Sequence, residues 1–279
     1  MDYFKQIAEI RACCRNLLEE DRVDVIIAYS KGGLDGLFIP FFARTAEDTD
    51  KLEWSGRCYH NLATYLHGRK DRVGIVAKPC DVRAIIQYII EKQLEREQIY
   101  IIGVDCCGMT DETNKPRPAC GSCRDRIPPV YDTHIIDERA SQIEIPQKSK
   151  ESHSPEIFKA EIDKCILCFS CRQACYGCYC KTCFVERGIP NLLPAEIDKG
   201  TKMTFHLGKA MHLAGRCVEC GACEAVCASG VKLRYLIQEL TDFVEENYDY
   251  RSGMSLDAAS SMLTFGQDDR DIGFLGGEE

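Results

Sequence analysis

The sequence predicts an α/β domain built on a parallel sheet, followed by a smaller cysteine-rich domain. Three observations carry that expectation. Strand-length apolar runs alternate with a helical pattern between residues 23 and 104. Residues 141–160 (SQIEIPQKSKESHSPEIFKA) are polar and contain two prolines, as a linker between domains would. Beyond that stretch a four-cysteine spacing occurs twice among short helices and turns. The expected divisions are 1–145, 146–247 and a tail, 248–279, rich in Gly, Asp and Glu with one apolar patch at Met262–Phe265.

Taken in order, residues 3–20 (YFKQIAEIRACCRNLLEE) place apolar side chains at helical spacing. Cys13 and Cys14 on that helix read as small core residues. VDVIIAYS (23–30) reads as a buried strand, and SKGGLDGLF (30–38) follows it. Backbone N–H groups at Gly32 and Gly33, with the charge of Lys31, could meet a pyrophosphate there. The spacing is not G-x-G-x-x-G, and a plain glycine turn explains it nearly as well. RVGIVAK (72–78) is a second strand, DVRAIIQYIIEKQLEREQ (81–98) a helix that Asp81 would cap, and IYIIGV (99–104) a third strand. Strand, helix and strand in that order make a βαβ unit.

Composition narrows the function classes. A chain of 279 residues that is 45% hydrophobic can bury a substantial core. The net charge of -9 without a basic stripe argues against nucleic acid. The opening MDYFKQIAEIRACC lacks a signal-peptide pattern, and no apolar run reaches bilayer length, so a cytoplasmic protein is expected. In a reducing compartment, 19 cysteines point to metal or redox chemistry rather than disulfides. No Ser–His–Asp set, P-loop or paired-carboxylate signature is visible.

Cys165, Cys168, Cys171 and Cys175 have the spacing C-x2-C-x2-C-x3-C, and Cys217, Cys220, Cys223 and Cys227 repeat it. Three such cysteines wrap one face of a cubane, while the fourth reaches the other cluster. The expected [4Fe–4S] ligand sets are therefore Cys165, Cys168, Cys171 with Cys227, and Cys217, Cys220, Cys223 with Cys175. Zinc sites use C-x2-C pairs separated by a longer loop, which is not this pattern. Bacterial ferredoxins carry proline after the fourth cysteine, where this chain has Tyr176 and Ala228. The domain is accordingly expected to be a ferredoxin-like dicluster domain. His206 and His212, on a predicted helix nearby, read as packing or polar-face residues because cysteine already supplies each set.

Other cysteines suggest further sites. Cys80 and the pair Cys106–Cys107 follow strands, where open α/β sheets build their sites. With Cys120 and Cys123 they give four ligands for a third cluster and one spare thiol. A non-cubane cluster of the heterodisulfide reductase type ranks second, because the spacings are short for it. Cys178, Cys180 and Cys183 make most of a fourth site, and the isolated Cys58 is the candidate to complete it.

KPCDVRAII, IIGVDCCGM and CGSCRDRIPPVYD resemble the cysteine motifs of the coenzyme F-420 hydrogenase/dehydrogenase beta-subunit family. KCILCFSCRQACYGCYCKTCF and HLAGRCVECGACEAVC resemble the dicluster portion of its formate dehydrogenase- and heterodisulfide reductase-associated members. The resemblance covers most of residues 23–240. It implies a cluster beside an FAD, with Cys106 rather than Cys107 as the ligand. It also implies electron transfer between a two-electron carrier at the flavin and one-electron clusters. The expected partners are redox subunits of a formate dehydrogenase, hydrogenase or heterodisulfide reductase-like complex that holds the main catalytic site. The chain is short beyond the second ferredoxin motif for a deazaflavin-binding region, so direct reaction with coenzyme F-420 is not expected. Two other readings remain open at this level: a flavin-free conduit, and an assembly subunit whose clusters hold the fold together.

Overall fold

The computed structural model describes residues 2–34, 36–145, 155–186 and 196–259. The apolar patch Met262–Phe265 and residues 146–154 of the expected linker lie outside the described residues.

Helix α1, Phe4–Glu19, buries Ile10, Cys14 and Leu17 along one stripe. Cys14 is fully buried and Cys13 packs at the edge of the core. The strands are β1 (Val25–Lys31), β2 (Phe38–Ala43), β3 (Leu52–Glu53), β4 (Val73–Ala77), β5 (Ile99–Val104) and β6 (Thr133–Ile135). They form one sheet in the order β2-β1-β4-β5-β6, with β3 also paired to β1. The run β1-β4-β5-β6 is parallel, as the βαβ pattern requires, and β2 and β3 add antiparallel pairs. β4 and β5 are buried almost throughout, which is why they read as continuous apolar runs.

The three strands absent from the sequence reading have local reasons. β2 carries Pro40, which fits an edge strand because it cannot donate to a ladder on both sides. β3 and β6 have only two and three residues, too few to show a period.

Helix α2, Pro79–Ile90, connects β4 to β5. Pro79 stands at its start, and the Asp81 carboxylate accepts the Lys78 backbone N–H at 3.0 Å. Asp81 also pairs with Lys78 Nζ at 2.8 Å, both side chains being buried. The helix stops at Ile90 rather than continuing to residue 98. Glu91 closes it, and Lys92 takes a left-handed φ of 55°. Most of α2 is buried around its whole circumference, including Arg83, Gln87 and Tyr88. A helix with that burial lies between two packed bodies, not on a surface.

Short helices α3 (Pro118–Gly121) and α4 (Glu138–Ser141) flank β6. Then come α5 (Pro155–Asp163), α6 (Ser170–Gln173), α7 (Lys199–Leu213), α8 (Ala222–Ala225) and α9 (Leu233–Tyr248). α7 packs against α5 and α9, and α6 packs against α8. The apolar clusters here are small: Phe205, Val231 and Leu233 in one, Ala210, Leu213 and Ile237 in the other. Cysteines pack against both, so they occupy the interior that larger apolar residues fill elsewhere.

Candidate metal centres

β4 and β5 are adjacent and parallel, with Ala77 opposite Gly103, so their carboxyl ends lie side by side. Cys80 sits in the first turn of α2, just past β4, and Cys106 just past β5. Cys120 lies in α3 and Cys123 two residues beyond it. All four line one cavity of about 230 Å³, together with Cys220 from the second repeat. Burial raises the Cys106 thiol to about 12, with Cys120 and then Cys123 adding to the effect. Burial also raises Cys80, reinforced by Asp81, Cys220 and Cys106 and opposed by Lys78. Cys107 behaves differently from its neighbour. It lines a second cavity, of about 880 Å³, beside Tyr3, Arg57, Arg126 and Cys120. Burial and then Asp137 raise its thiol to about 11.

The repeated motifs fold alike. Leu167 and Glu219, each two residues after the first cysteine of its motif, have φ of 53° and 59°. Phe169 and Gly221, each one residue after the second cysteine, have φ of 58° and 71°. Side chains other than glycine seldom adopt this conformation, and such outliers concentrate at functional sites. The bend aims backbone donors at sulfur: Leu167 N–H to Cys165 Sγ at 3.3 Å, and Glu219 N–H to Cys217 Sγ at 3.4 Å. Gly108 N–H does the same for Cys106 Sγ at 3.4 Å.

Each fourth cysteine packs beside the other motif: Cys175 with Cys217 on the Ala210, Leu213, Ile237 cluster, and Cys227 with Cys165 and Cys171 on the Phe205, Val231, Leu233 cluster. Burial raises Cys171 to about 11, opposed by Lys209 and reinforced by Cys165, Cys227 and Cys168. Burial raises Cys217 to about 12, with Cys220 and Cys175 contributing. Cys223 is raised by burial and by Cys175, Cys217 and Cys220. Buried thiols of this kind give up their protons where a cation stabilises the thiolate, as a metal centre would. Among the described residues no three His, Cys, Asp or Glu side chains converge as they would on a single metal ion. A cubane spreads its ligand sulfurs farther apart than one ion does, and four-cysteine sets suit it.

No family model matches the chain. Among curated proteins it is similar to the F420-dependent formate dehydrogenase subunit beta of Methanocaldococcus jannaschii. The two are 20% identical over an alignment of 355 positions, covering 88% of this chain and 91% of that subunit. The F420-dependent formate dehydrogenase 1 subunit beta of Methanococcus maripaludis is 30% identical over 104 residues, 36% of this chain and 26% of that subunit. The chain is a relative of these beta subunits. That relation bears out the resemblance of its cysteine motifs to the F-420 hydrogenase/dehydrogenase beta-subunit family.

Other expected site residues of this beta-subunit relative fall apart in space. Cys178, Cys180 and Cys183 line a cavity of about 150 Å³ with Arg172, Lys209, His212 and Arg216. Cys58 is not among its lining residues. It is fully buried, 3.8 Å from Ser55 Oγ, and feels Lys78 and Glu53. The Cys178 thiol hydrogen-bonds Cys175, which holds Cys175 below the usual thiol range. Lys31 and the glycines after it turn a β1–β2 hairpin rather than opening a helix. Gly32 N–H is taken by Leu37 C=O at 2.8 Å, and exposed Lys31 pairs with Glu53 at 3.7 Å. Gly36 and Phe38 of that hairpin line the 880 Å³ cavity. His206 packs edge-on to Phe205, with burial and then Lys209 lowering it to about 4.

The sequence reading missed the residues that join the cluster loops. Arg83 was read beside a capping aspartate, at the start of a helix. In the structure it donates to Ser252 C=O at 2.9 Å, Asp125 Oδ2 at 2.7 Å and Val218 C=O at 3.3 Å. Val218 lies between Cys217 and Cys220, and Asp125 lies two residues beyond Cys123. At the far end of α2, Glu91 accepts two bonds from Arg216 at 2.6 and 2.7 Å and one from the Tyr179 hydroxyl. Tyr88 donates to Tyr176 C=O at 2.6 Å, next to Cys175. The polar residues of an apolar helix, Arg83 and Glu91, were the available signal.

Proposed function

We propose that this chain is an electron-transfer subunit of a multi-subunit oxidoreductase, passing electrons along [4Fe–4S] clusters. The ligand sets are Cys80, Cys106, Cys120, Cys123; then Cys217, Cys220, Cys223, Cys175; then Cys165, Cys168, Cys171, Cys227. One observation carries the reading: these sets abut in series. Cys220 lines the same cavity as the first set, Cys223 packs on the same apolar cluster as Cys165, Cys171 and Cys227, and Cys168 of the last set is exposed to solvent. A line of one-electron centres ending at a surface is a conduit, and the protein's part is to hold its members close and tune them.

The large cavity beside Cys107 and Cys120 is the place for an FAD, which would exchange electron pairs for single electrons. Arg57 and Arg126 there supply charge for a pyrophosphate. Gly36 and Phe38 line this cavity, whereas Lys31, Gly32 and Gly33 are not among its lining residues. Cys58 is left out of the ligand sets because it does not line the cavity shared by Cys178, Cys180 and Cys183. The relatives are named as subunits of formate dehydrogenases, which supports partners that are other redox subunits of a complex of that type; a cytoplasmic setting is part of the proposal. Among the described residues no helix is long and apolar enough to cross a membrane.

The test is iron, acid-labile sulfide and flavin in anaerobically purified protein. About twelve iron atoms per chain and one FAD are expected. Twelve irons without flavin, after purification in excess FAD, would favour the flavin-free conduit. Absence of iron and sulfide would overturn the reading.

A further inference from the structure

The two repeats share a backbone but not their surroundings, and the difference begins after the fourth cysteine. Three residues beyond Cys175 stands Cys178; three beyond Cys227 stands Gly230. A tight turn, closed by Cys178 N–H to Cys175 C=O at 3.1 Å, brings the Cys178 thiol against Cys175. Cys227 Sγ accepts the backbone N–H of Val231 at 3.3 Å. Behind Cys178 stands Lys209, on α7, whose Nζ donates to Cys178 Sγ at 3.3 Å. Lys209 is only 3% exposed. The thiols that face its charge are those of Cys175, Cys178, Cys223 and Cys171. Three of these belong to, or sit directly behind, the Cys175 set, and one belongs to its twin.

Burying an ammonium group costs several kcal/mol unless something anionic faces it. α7 carries no carboxylate anywhere between Lys199 and Leu213. A thiolate-bound cluster is anionic and becomes more so on reduction. A fixed positive charge, and a hydrogen bond to a ligand sulfur, both favour the reduced form.

We propose that Lys209 and Cys178 are a positioning pair that raises the reduction potential of the cluster held by Cys175, Cys217, Cys220 and Cys223 above that of its twin. In this role Cys178 donates to a ligand instead of being one. The tuned cluster is the middle member of the series, so electrons collect there between the first-domain set and the exposed Cys168. The inference rests on the cluster assignment made above.

The test is an EPR-monitored redox titration of the full chain, with iron counted in each sample. The Cys168→Ser protein, lacking the twin cluster, identifies which midpoint belongs to the Cys175 set. Lys209→Gln should lower that midpoint markedly and the twin's slightly, closing the gap between them. Lys209→Arg should restore most of the gap. Cys178→Ala keeps the charge but removes the relay, and should lower the Cys175-set midpoint alone. Equal iron with unmoved midpoints in both Lys209→Gln and Cys178→Ala would overturn the proposal, as would equal shifts of both clusters. If Lys209→Gln loses iron, Cys178→Ala decides by itself. Absence of iron from the unaltered chain would instead refute the cluster assignment on which the proposal stands.

Discussion

Replacing Arg83 with methionine tests whether the contact between the two cysteine-bearing regions is a structural joint. Arg83 is 1% exposed and makes three hydrogen bonds to three separate segments. Methionine keeps most of the stem's packing. It strands the carbonyls of Ser252 and Val218, at about 1–3 kcal/mol for each buried group left unpaired. Asp125 keeps its two bonds to Arg251, at 2.8 and 2.6 Å, so no carboxylate is left alone. Nη2 of Arg83 has no partner, so its removal returns part of the cost. The net loss should therefore fall near the low end for breaking a buried pair, about 3 kcal/mol. With an m-value of about 3 kcal/mol per molar for a chain of this size, the urea midpoint should drop by roughly 1 M. The assay is anaerobic urea titration read by far-UV circular dichroism and by iron–sulfur absorbance. Arg83→Lys, which can reach Asp125 but not both carbonyls, should fall between. A methionine variant within about 0.5 kcal/mol of the parent, at unchanged slope, would refute the joint.

Glu91 gives a pH signature. Burial pushes its carboxyl up, but bonds from Arg216 and Tyr179 outweigh that and hold it below its usual 4.5. A depressed carboxylate contributes stability in full above its unfolded value and loses it as pH falls through the folded one. Glu91→Gln should thus cost about 2–3 kcal/mol near neutrality, with the difference from the parent shrinking below pH 4.5 in thermal melts. A difference that stays constant with pH would contradict the ion pair. Cys58→Ala should leave iron content unchanged and cost about 1 kcal/mol through the small cavity created; a loss of about four irons would return Cys58 to a ligand set. Glu219→Gly relieves a left-handed φ of 59° and should raise the melting point, by about 1 kcal/mol of stability, at equal iron. A lowered midpoint would mean that Glu219 is held by more than its backbone.

How much of this was legible depended on the range of the signal. β4, α2 and β5 were readable because apolar continuity and its period are local properties. The twin motifs were readable because a cluster's geometry forces fixed spacings, and the structure gives both loops the same bends at Leu167/Glu219 and Phe169/Gly221. Adjacent cysteines were harder. Nothing local tells Cys106 from Cys107; only the turn after β5 sends one toward Cys120 and Cys123 and the other toward Asp137. Cys58 is assigned to the set of Cys178, Cys180 and Cys183 by arithmetic, which carries no spatial information. The glycines after β1 left a phosphate contact and a plain turn both open, because each needs them; pairing with β2 places them in a hairpin, which is a long-range fact. Lys209 was invisible because its partners come from another segment of the chain.

α2 is gripped near both ends by the region that carries the repeats: Arg83 holds Val218 at one end, and Glu91 holds Arg216 at the other. Twelve residues of helix make a rod about 18 Å long. A rod clamped at two points cannot swing about either. The spacing between the Cys80 loop and the Cys217 loop is then mechanically fixed. On the cluster assignment proposed above, that clamp would hold the electron-transfer distance between the two centres constant.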